Sequence, residues 1–161
     1  MHRMIVGLIT CWALIGGFGP TPARAEKADT VARFVVEHFM NAVKAKDLEE
    51  IMKTVDVPWV SKEGVIRERQ ELRKHFQQRF AARDYSQMNY EVKELVSFAR
   101  FSELYGKEMK KRDSKLWAEV EKIATEHDRV LRLKVEKGGG DEFIALVRSH
   151  GGERKILGLL D

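Results

Sequence analysis

Cysteine is almost absent from this sequence of 161 residues, because Cys11 is its single representative. Cys11 lies in an N-terminal stretch, residues 1–25, that has the features of a removable signal peptide. Removal would leave a chain without cysteine, which cannot form disulfides, use a cysteine nucleophile or bind metal through thiolates. The His, Asp and Glu residues show no metal-ligand spacing, so the sequence predicts neither a metal nor another cofactor.

Apolar runs of the roughly 18–20 residues that a membrane-spanning helix needs are also lacking. The uncharged stretch at residues 4–18 is interrupted by glycines and follows a basic start, and Ala23-Arg24-Ala25 is typical of a cleavage site. We therefore predict cleavage after Ala25, export to the periplasm or the medium, and no membrane association of the mature chain. The alternatives are a membrane anchor and lipoprotein processing at Cys11, where Leu8-Ile9-Thr10 matches a lipobox poorly.

Neither sign of charge dominates the composition. The chain holds 29 Lys and Arg against 25 Asp and Glu, and loss of Arg3 and Arg24 with the signal peptide leaves 27 basic residues, a net charge of +2. The most basic segment, residues 107–115, is diluted by Glu108 and Asp113 and has no interleaved aromatic residue for base stacking. The sequence therefore predicts no nucleic-acid partner.

The last third of the chain contains three short apolar runs separated by two glycine clusters. These runs occupy residues 130–136, 142–148 and 155–160. The first alternates apolar and charged residues with the period of a strand, and the glycines favour tight reversals. The pattern predicts an antiparallel three-strand meander, with Leu131, Leu133 and Val135 on the core face of its first strand.

Amphipathic helices are predicted at three places in the first half of the chain. The first begins with Asp29 or Thr30 as N-cap, and the second follows Asp47 as N-cap. The third spans residues 68–83. The apolar stripe of the first helix consists of Val31, Phe34, Val35, Phe39, Ala42 and Val43, and that of the third consists of Leu72, Phe76 and Phe80.

Strand patterns lie between and after these helices, at residues 57–60, 65–66 and 88–98. The first two predict a small edge hairpin and the third a long strand. Residues 99–127 then carry one helix, capped by Asp113 or Ser114, after an irregular or partly helical stretch. The order of elements leaves open whether this segment caps the helix side of the sheet or lies outside it.

This order resembles that of the nuclear transport factor 2-like superfamily, also called the cystatin-like α+β cone. Local features that resemble it are Ala45-Lys46-Asp47-Leu48, Val57-Pro58-Trp59, Val65-Ile66 before Glu71-Leu72 and Phe76, and the closing residues 143–148 and 155–161. The resemblance implies N-terminal helices packed against a curved antiparallel sheet around a conical cavity. Relatives use that cavity for catalysis, for ligand binding or for neither. The extra helix before the meander, where a tight hairpin is usual, is a departure from the pattern.

Three residues are candidates for the wall of such a cavity. Trp59 and Tyr90 combine a large apolar body with one polar tip, and His38 flanks the stripe of the first helix. Trp59 and Tyr90 equally fit core packing, and His38 fits a boundary position with a satisfied hydrogen bond. His75, beside the seam of the third helix, is a weaker candidate.

The sequence favours a non-catalytic domain, residues 26–161, that binds a small apolar ligand or a protein partner in the cone. One alternative is a cofactor-independent lyase or isomerase of the ketosteroid isomerase or dehydratase type, with His38 as general base. The other is an interaction module that forms a homodimer through the outer face of the sheet. The enzymes in question need an inward-facing carboxylate or histidine, and no carboxylate pair is predicted on an inward face.

Overall fold

The structure is a computed structural model that describes residues 22–136, 142–149 and 152–160. Two sequence predictions lie outside this part of the chain. They are the signal peptide up to residue 21, which includes Cys11, and the glycine reversals at residues 137–141 and 150–151. The predicted cleavage point after Ala25 lies within the first described helix.

Helices and strands of the described chain form one α+β unit, which confirms the predicted fold class. The helices are α1 (Pro22–Ala45), α2 (Leu48–Thr54), α3 (Arg69–Ala82), α4 (Phe98–Arg112) and α5 (Ser114–Ile123). The strands are β1 (Val55–Ser61), β2 (Gly64–Ile66), β3 (Asn89–Ser97), β4 (Arg129–Glu136), β5 (Glu142–Arg148) and β6 (Lys155–Leu160).

The strands form one six-stranded sheet in the order β2-β1-β6-β5-β4-β3. The predicted meander is confirmed, because β4, β5 and β6 pair antiparallel in sequence order, and so is the edge hairpin of β1 and β2. The sequence did not indicate that β1 pairs parallel to β6. Register shifts in the pairs β3–β4, β5–β6 and β1–β6 mark bulges, which bend and twist a sheet locally.

One face of the sheet packs against α1, α2 and α3 around a first apolar cluster. The predicted core face of β4 is confirmed, since Leu131, Leu133 and Val135 are buried there. The predicted stripe of α1 is correct except at Phe34, whose surface is 59% exposed. The buried face of α1 instead includes Ala32, Val36 and Met40, so the stripe is rotated from the predicted one.

The start of α1 differs from the prediction, because the helix continues back to Pro22. Asp29 was expected to cap the helix, but its carboxylate pairs with Arg129 at the start of β4. Thr30 donates its hydroxyl to the carbonyl of Glu26, one turn earlier within the same helix. Asp29, which resembles an N-cap in the sequence, therefore forms an ion pair with a residue 100 positions away. The N-cap prediction at Asp47 is confirmed, since its carboxylate accepts a hydrogen bond from the backbone N–H of Glu50.

The opposite face of the sheet is covered by α4 and α5, where one inserted helix was predicted. The stretch expected to be irregular or partly helical lies in α4, which Ser97 caps by accepting a hydrogen bond from the N–H of Arg100. Phe101 of α4 and Trp117 of α5 enter a second apolar cluster with sheet residues such as Leu146. Residues 99–127 thus lie on the outer face of the sheet and do not cap the helix side. None of the described helices is long and apolar enough to cross a membrane.

Candidate functional site

A cavity of about 610 Å³ lies between the helices α1 and α3 and the ends of strands β1, β4, β5 and β6. The volume falls within the roughly 300–1,000 Å³ of small-molecule sites. Its walls are mostly apolar. The apolar lining residues are Phe39, Met40, Val43, Trp59, Phe76, Phe80, Tyr85, Met88, Val135, Phe143 and Leu159. The polar lining residues, several of which are exposed, are Ser61, Lys62, His75, Arg79, Arg83, Asp84 and Gln87.

Phe76 connects the aromatic side chains of the inner wall. Its ring makes edge contacts with Trp59 and Phe39, at centroid distances of 5.4 and 6.0 Å, and lies 6.5 Å from the ring of Phe80. Trp59 is buried, yet its indole N–H has no acceptor among the described residues. An unpaired buried donor is costly, so this N–H is a local strain in the packing beside the cavity.

Three polar side chains form a hydrogen-bonded group at the rim, which we call the rim cluster: Glu63, His75 and Arg79. His75 and Arg79 are four residues apart on α3, so their side chains lie one above the other on the same helix face. Arg79 Nε donates to His75 Nε2 at 3.0 Å, and Arg79 Nη2 donates to Glu63 Oε1 at 2.7 Å. The second carboxylate oxygen of Glu63 lies 3.4 Å from His75 Nδ1.

Glu63 is brought to this position by the turn between β1 and β2. Gly64 has a φ of +121°, a backbone conformation that a residue with a Cβ rarely adopts. The hydroxyl of Ser61 accepts a hydrogen bond from the N–H of Glu63 at 3.3 Å. The short turn therefore fixes a carboxylate opposite the helix face that carries the histidine and the arginine.

His75 is held in one neutral form by these contacts. Nε2 accepts a hydrogen bond from Arg79, so the proton of the neutral ring lies on Nδ1, toward Glu63. Burial lowers the pKa of His75, the Arg79 charge lowers it further, and the Glu63 charge opposes both. The rim cluster consequently presents a neutral imidazole between a carboxylate and a guanidinium.

Of the residues predicted for the site, the structure places only Trp59 in the cavity wall. His38 lies outside it, 46% exposed, with Nε2 3.0 Å from Glu50 Oε2 and its ring stacked on Phe34. The inward face of α1 carries Phe39, Met40 and Val43, and His38 points away from that face, contrary to the expectation that it enters the cone. The boundary interpretation, with a satisfied hydrogen bond, describes its position.

Tyr90 packs against the first apolar cluster from β3 and does not line the cavity. Burial raises the pKa of its hydroxyl, and the charge of Glu37 raises it further. Trp59, Tyr90 and His38 are therefore not brought together. His75, the weaker candidate, does line the cavity. Whether any of these residues takes part in binding or catalysis stays a prediction.

Sequence reasoning missed Glu63, Arg79 and Arg83. The spacing of His75 and Arg79 on one helix was a usable signal, because residues four apart on a helix are neighbours. The position of Glu63 depends on the β1–β2 turn folding back toward α3, which no local pattern reveals. Among the described residues, no group of three His, Cys, Asp or Glu side chains could hold a metal ion.

These features define an α+β protein with helices on both faces of one sheet and a mostly apolar cavity between the sheet and the helices α1 and α3. No protein-family model and no curated protein matches the chain. Solved structures do match it. An NTF2-like protein of unknown function from Cytophaga hutchinsonii has 11% identity and a TM-score of 0.40, over 80% of this chain and 86% of that one.

Two further solved structures are described as proteins of unknown function with a cystatin-like fold. The protein from Nostoc punctiforme has 9% identity and a TM-score of 0.48, over 87% of this chain and 90% of that one. The protein from Methylobium petroleophilum has 8% identity and a TM-score of 0.44, over 82% and 74%. These descriptions name the superfamily that the sequence resembles, and the likeness concerns the fold alone.

Proposed function

We propose that the mature chain, residues 26–161, is an exported, non-catalytic domain that binds a small apolar ligand in the cavity between α1 and α3. The observation that carries this proposal is the mostly apolar wall of a cavity of about 610 Å³. An apolar cavity with a few polar groups is the usual form of a small-molecule site.

Fluorescence of Trp59 tests the proposal. The chain has three tryptophans, and after loss of Trp12 a Trp117→Phe variant reports on Trp59 alone. N-phenyl-1-naphthylamine, a neutral apolar dye, should change the Trp59 emission saturably. The matched control is Trp59→Phe, which leaves Trp117 in the second cluster on the other sheet face and should not respond. His38→Ala should bind the dye as the wild type does, because His38 lies outside the cavity. A Trp59 signal unaffected by the dye would contradict the proposal.

Export is tested by intact mass of the protein recovered from the envelope or the medium. We expect a chain that starts at Glu26. Cleavage there would remove the first four residues of α1 and the carbonyl of Ala25 that accepts from Arg129, while Asp29 keeps its contact with Arg129. A full-length chain in the membrane would favour the anchor, and a lipid adduct on Cys11 would favour the lipoprotein.

A lyase or isomerase is the second candidate, and the base would be His75 instead of His38. The favouring observation is that His75 lines the cavity with a lowered pKa and that Glu63 lies beside its Nδ1. General bases operate best with a pKa near the working pH, and an oriented neutral imidazole fits this role. Its Nε2 would first have to lose the hydrogen bond from Arg79. Turnover that His75→Gln abolishes, with dye binding retained, would establish the enzyme.

The third candidate is an interaction module that dimerises through the outer face of the sheet. In the described chain α4 and α5 occupy much of that face, so dimerisation there would displace them or use the part they leave uncovered. Light scattering at micromolar concentration measures the mass directly. The mass of a single chain would count against this candidate.

A further inference from the structure

Cationic side chains are concentrated at the rim of the cavity. Lys62, Arg79 and Arg83 line it, and among the described lining residues Asp84 is the one carboxylate. Asp84 accepts hydrogen bonds from the N–H and the hydroxyl of Ser86, each 3.1 Å long, and these bonds lower the pKa of its carboxyl. The Asp84 carboxylate thus accepts hydrogen bonds within its own turn. Even with Glu63 counted, the rim carries more cationic than anionic side chains.

Arg79 is held in a fixed orientation. Its Nε donates to His75 and its Nη2 to Glu63, so one edge of the guanidinium is occupied. Its Nη1 has no acceptor within residues 22–136, 142–149 and 152–160. A planar guanidinium anchored along one edge presents its remaining N–H groups in a defined direction, which suits a carboxylate.

Arg83 supplies a second guanidinium at the end of α3. Its side chain lines the cavity, and no hydrogen bond or ion pair joins it to another side chain of the described part of the chain. The rim therefore offers donors from two arginines four residues apart.

We propose that the ligand is an apolar molecule that ends in a carboxylate, with the carboxylate bound by Arg79 and Arg83 and the apolar body packed against Phe76 and Phe80. This inference rests on the proposed function and adds the chemical class of the ligand to it. Charge-assisted hydrogen bonds to a carboxylate are roughly twice as strong as neutral ones, so they would distinguish an acid from the corresponding alcohol.

Glu63 acts in this arrangement as an internal competitor. Its carboxylate already neutralises Arg79 from the side of the β1–β2 turn. A Glu63→Gln change keeps the size of the side chain and removes the negative charge. It should therefore raise the affinity for an acid several-fold and leave the affinity for an alcohol unchanged. A purely structural role for Glu63 would not produce that asymmetry.

Calorimetric titration of the mature chain with 4-phenylbutanoate and 4-phenylbutan-1-ol tests the inference. We expect the acid to bind about tenfold more tightly or better, a factor typical of a hydrogen bond to a charged group. Arg79→Gln and Arg83→Gln should each remove most of that preference. Arg73→Gln is the matched control, because it removes the same charge from the same helix, where Arg73 pairs with Glu49 outside the cavity.

The source of the carboxylate is distinguished with an N-acetylated Phe-Phe dipeptide as free acid and as amide. Tighter binding of the dipeptide acid than of its amide, without binding of 4-phenylbutanoate, would support carboxylate recognition and assign it to a chain terminus.

Equal binding of 4-phenylbutanoate and 4-phenylbutan-1-ol, with the neutral dye still entering the cavity, would overturn the inference and leave the proposed function standing. If neither the dye nor any acid changes Trp59 emission, both fail. If Arg79→Gln does not fold, the acid preference of Arg83→Gln tests the inference alone. Arg83 is exposed at the end of α3, so its substitution should not disturb folding.

Discussion

Gly158 of β6 pairs with Val60 of β1 in the parallel part of the sheet. A Cβ at this position would lie 2.5 Å from the carbonyl oxygen of Val60 and 3.2 Å from its carbonyl carbon. An ordinary C···O contact is about 3.3–3.6 Å, so Gly158→Ala requires the strands to separate by about 0.8 Å or more. Val60 is fully buried, and its backbone is fixed in a ladder on both sides.

The expected cost follows from this overlap. Overpacking a well-packed interior costs about 1–3 kcal/mol, and the upper end applies because the clashing atom belongs to the backbone and has no rotamer to change. For a domain of this size, about 3 kcal/mol lowers the unfolding midpoint by roughly 6–12 °C. Leu159, next to Gly158, lines the cavity, so dye binding should weaken as well.

Gly106→Ala is the contrasting variant. A Cβ there would lie 3.2 Å from the Ser102 hydroxyl and from a ring carbon of Trp117, and both side chains can move by a few tenths of an ångström. Replacing glycine inside a helix gains about 1 kcal/mol, which offsets the crowding, so the midpoint should change little. Urea and thermal unfolding followed by circular dichroism measure both variants. If Gly158→Ala unfolds within about 2 °C of the wild type, the close approach of β1 and β6 is wrong.

Two other predictions concern a helix cap and the partly buried His75. Asp113→Ala should cost about 1 kcal/mol, because its carboxylate accepts from the N–H groups of Lys115 and Leu116 at the start of α5, and Asp113→Asn should restore most of it in urea unfolding. An equal loss in both variants would contradict the capping role. The pKa of His75 is lowered on folding from its ordinary 6.5, so the unfolded chain binds the proton first. The free energy of unfolding should therefore fall as the pH drops through 6.5 toward the lower folded pKa, more steeply in the wild type than in His75→Gln. Parallel pH profiles would show that folding does not lower the pKa of His75.

Local sequence patterns predicted those elements whose contacts are with residues close to them in the sequence. The meander, the β1–β2 hairpin and the Asp47 cap depend on turns, alternation and a capping side chain, all of which a short window contains. The parallel pairing of β1 and β6 joins segments about 100 residues apart and has no local signature. The start of α1 was predicted wrongly for the same reason, because Asp29 pairs with the sequence-distant Arg129 and does not cap the helix.

α4 was left open as irregular or partly helical because the face of β4 that it helps cover has a polar sequence pattern. Arg132 alternates with apolar residues and resembles a solvent-facing residue, yet it is only 33% exposed. Its guanidinium lies between Glu94 and Glu142 and over the ring of Tyr105 from α4. An ion-pair network beneath a helix has the same sequence pattern as a solvated strand face. The rim cluster was not predicted because Glu63 lies in a turn and Arg79 in a helix, and only the folded chain brings the two together.

The two faces of the sheet differ in how their apolar clusters are packed. The segment between β3 and β4 supplies the cover of the outer face, and its cluster is built from well-packed side chains such as Phe101 and Trp117, both about 2% exposed. On the inner face the packed aromatic side chains continue from Phe76 through Phe80 to Tyr85, and Arg79 lies one helical turn beyond His75 at the rim. The indole N–H of Trp59 has no acceptor among the described residues, at a cost of about 1–3 kcal/mol. If the cavity binds a ligand as proposed, saturation with that ligand should raise the unfolding midpoint of the domain, because a ligand that binds only the folded state stabilises it. A midpoint that does not move at saturating ligand would contradict the proposed site.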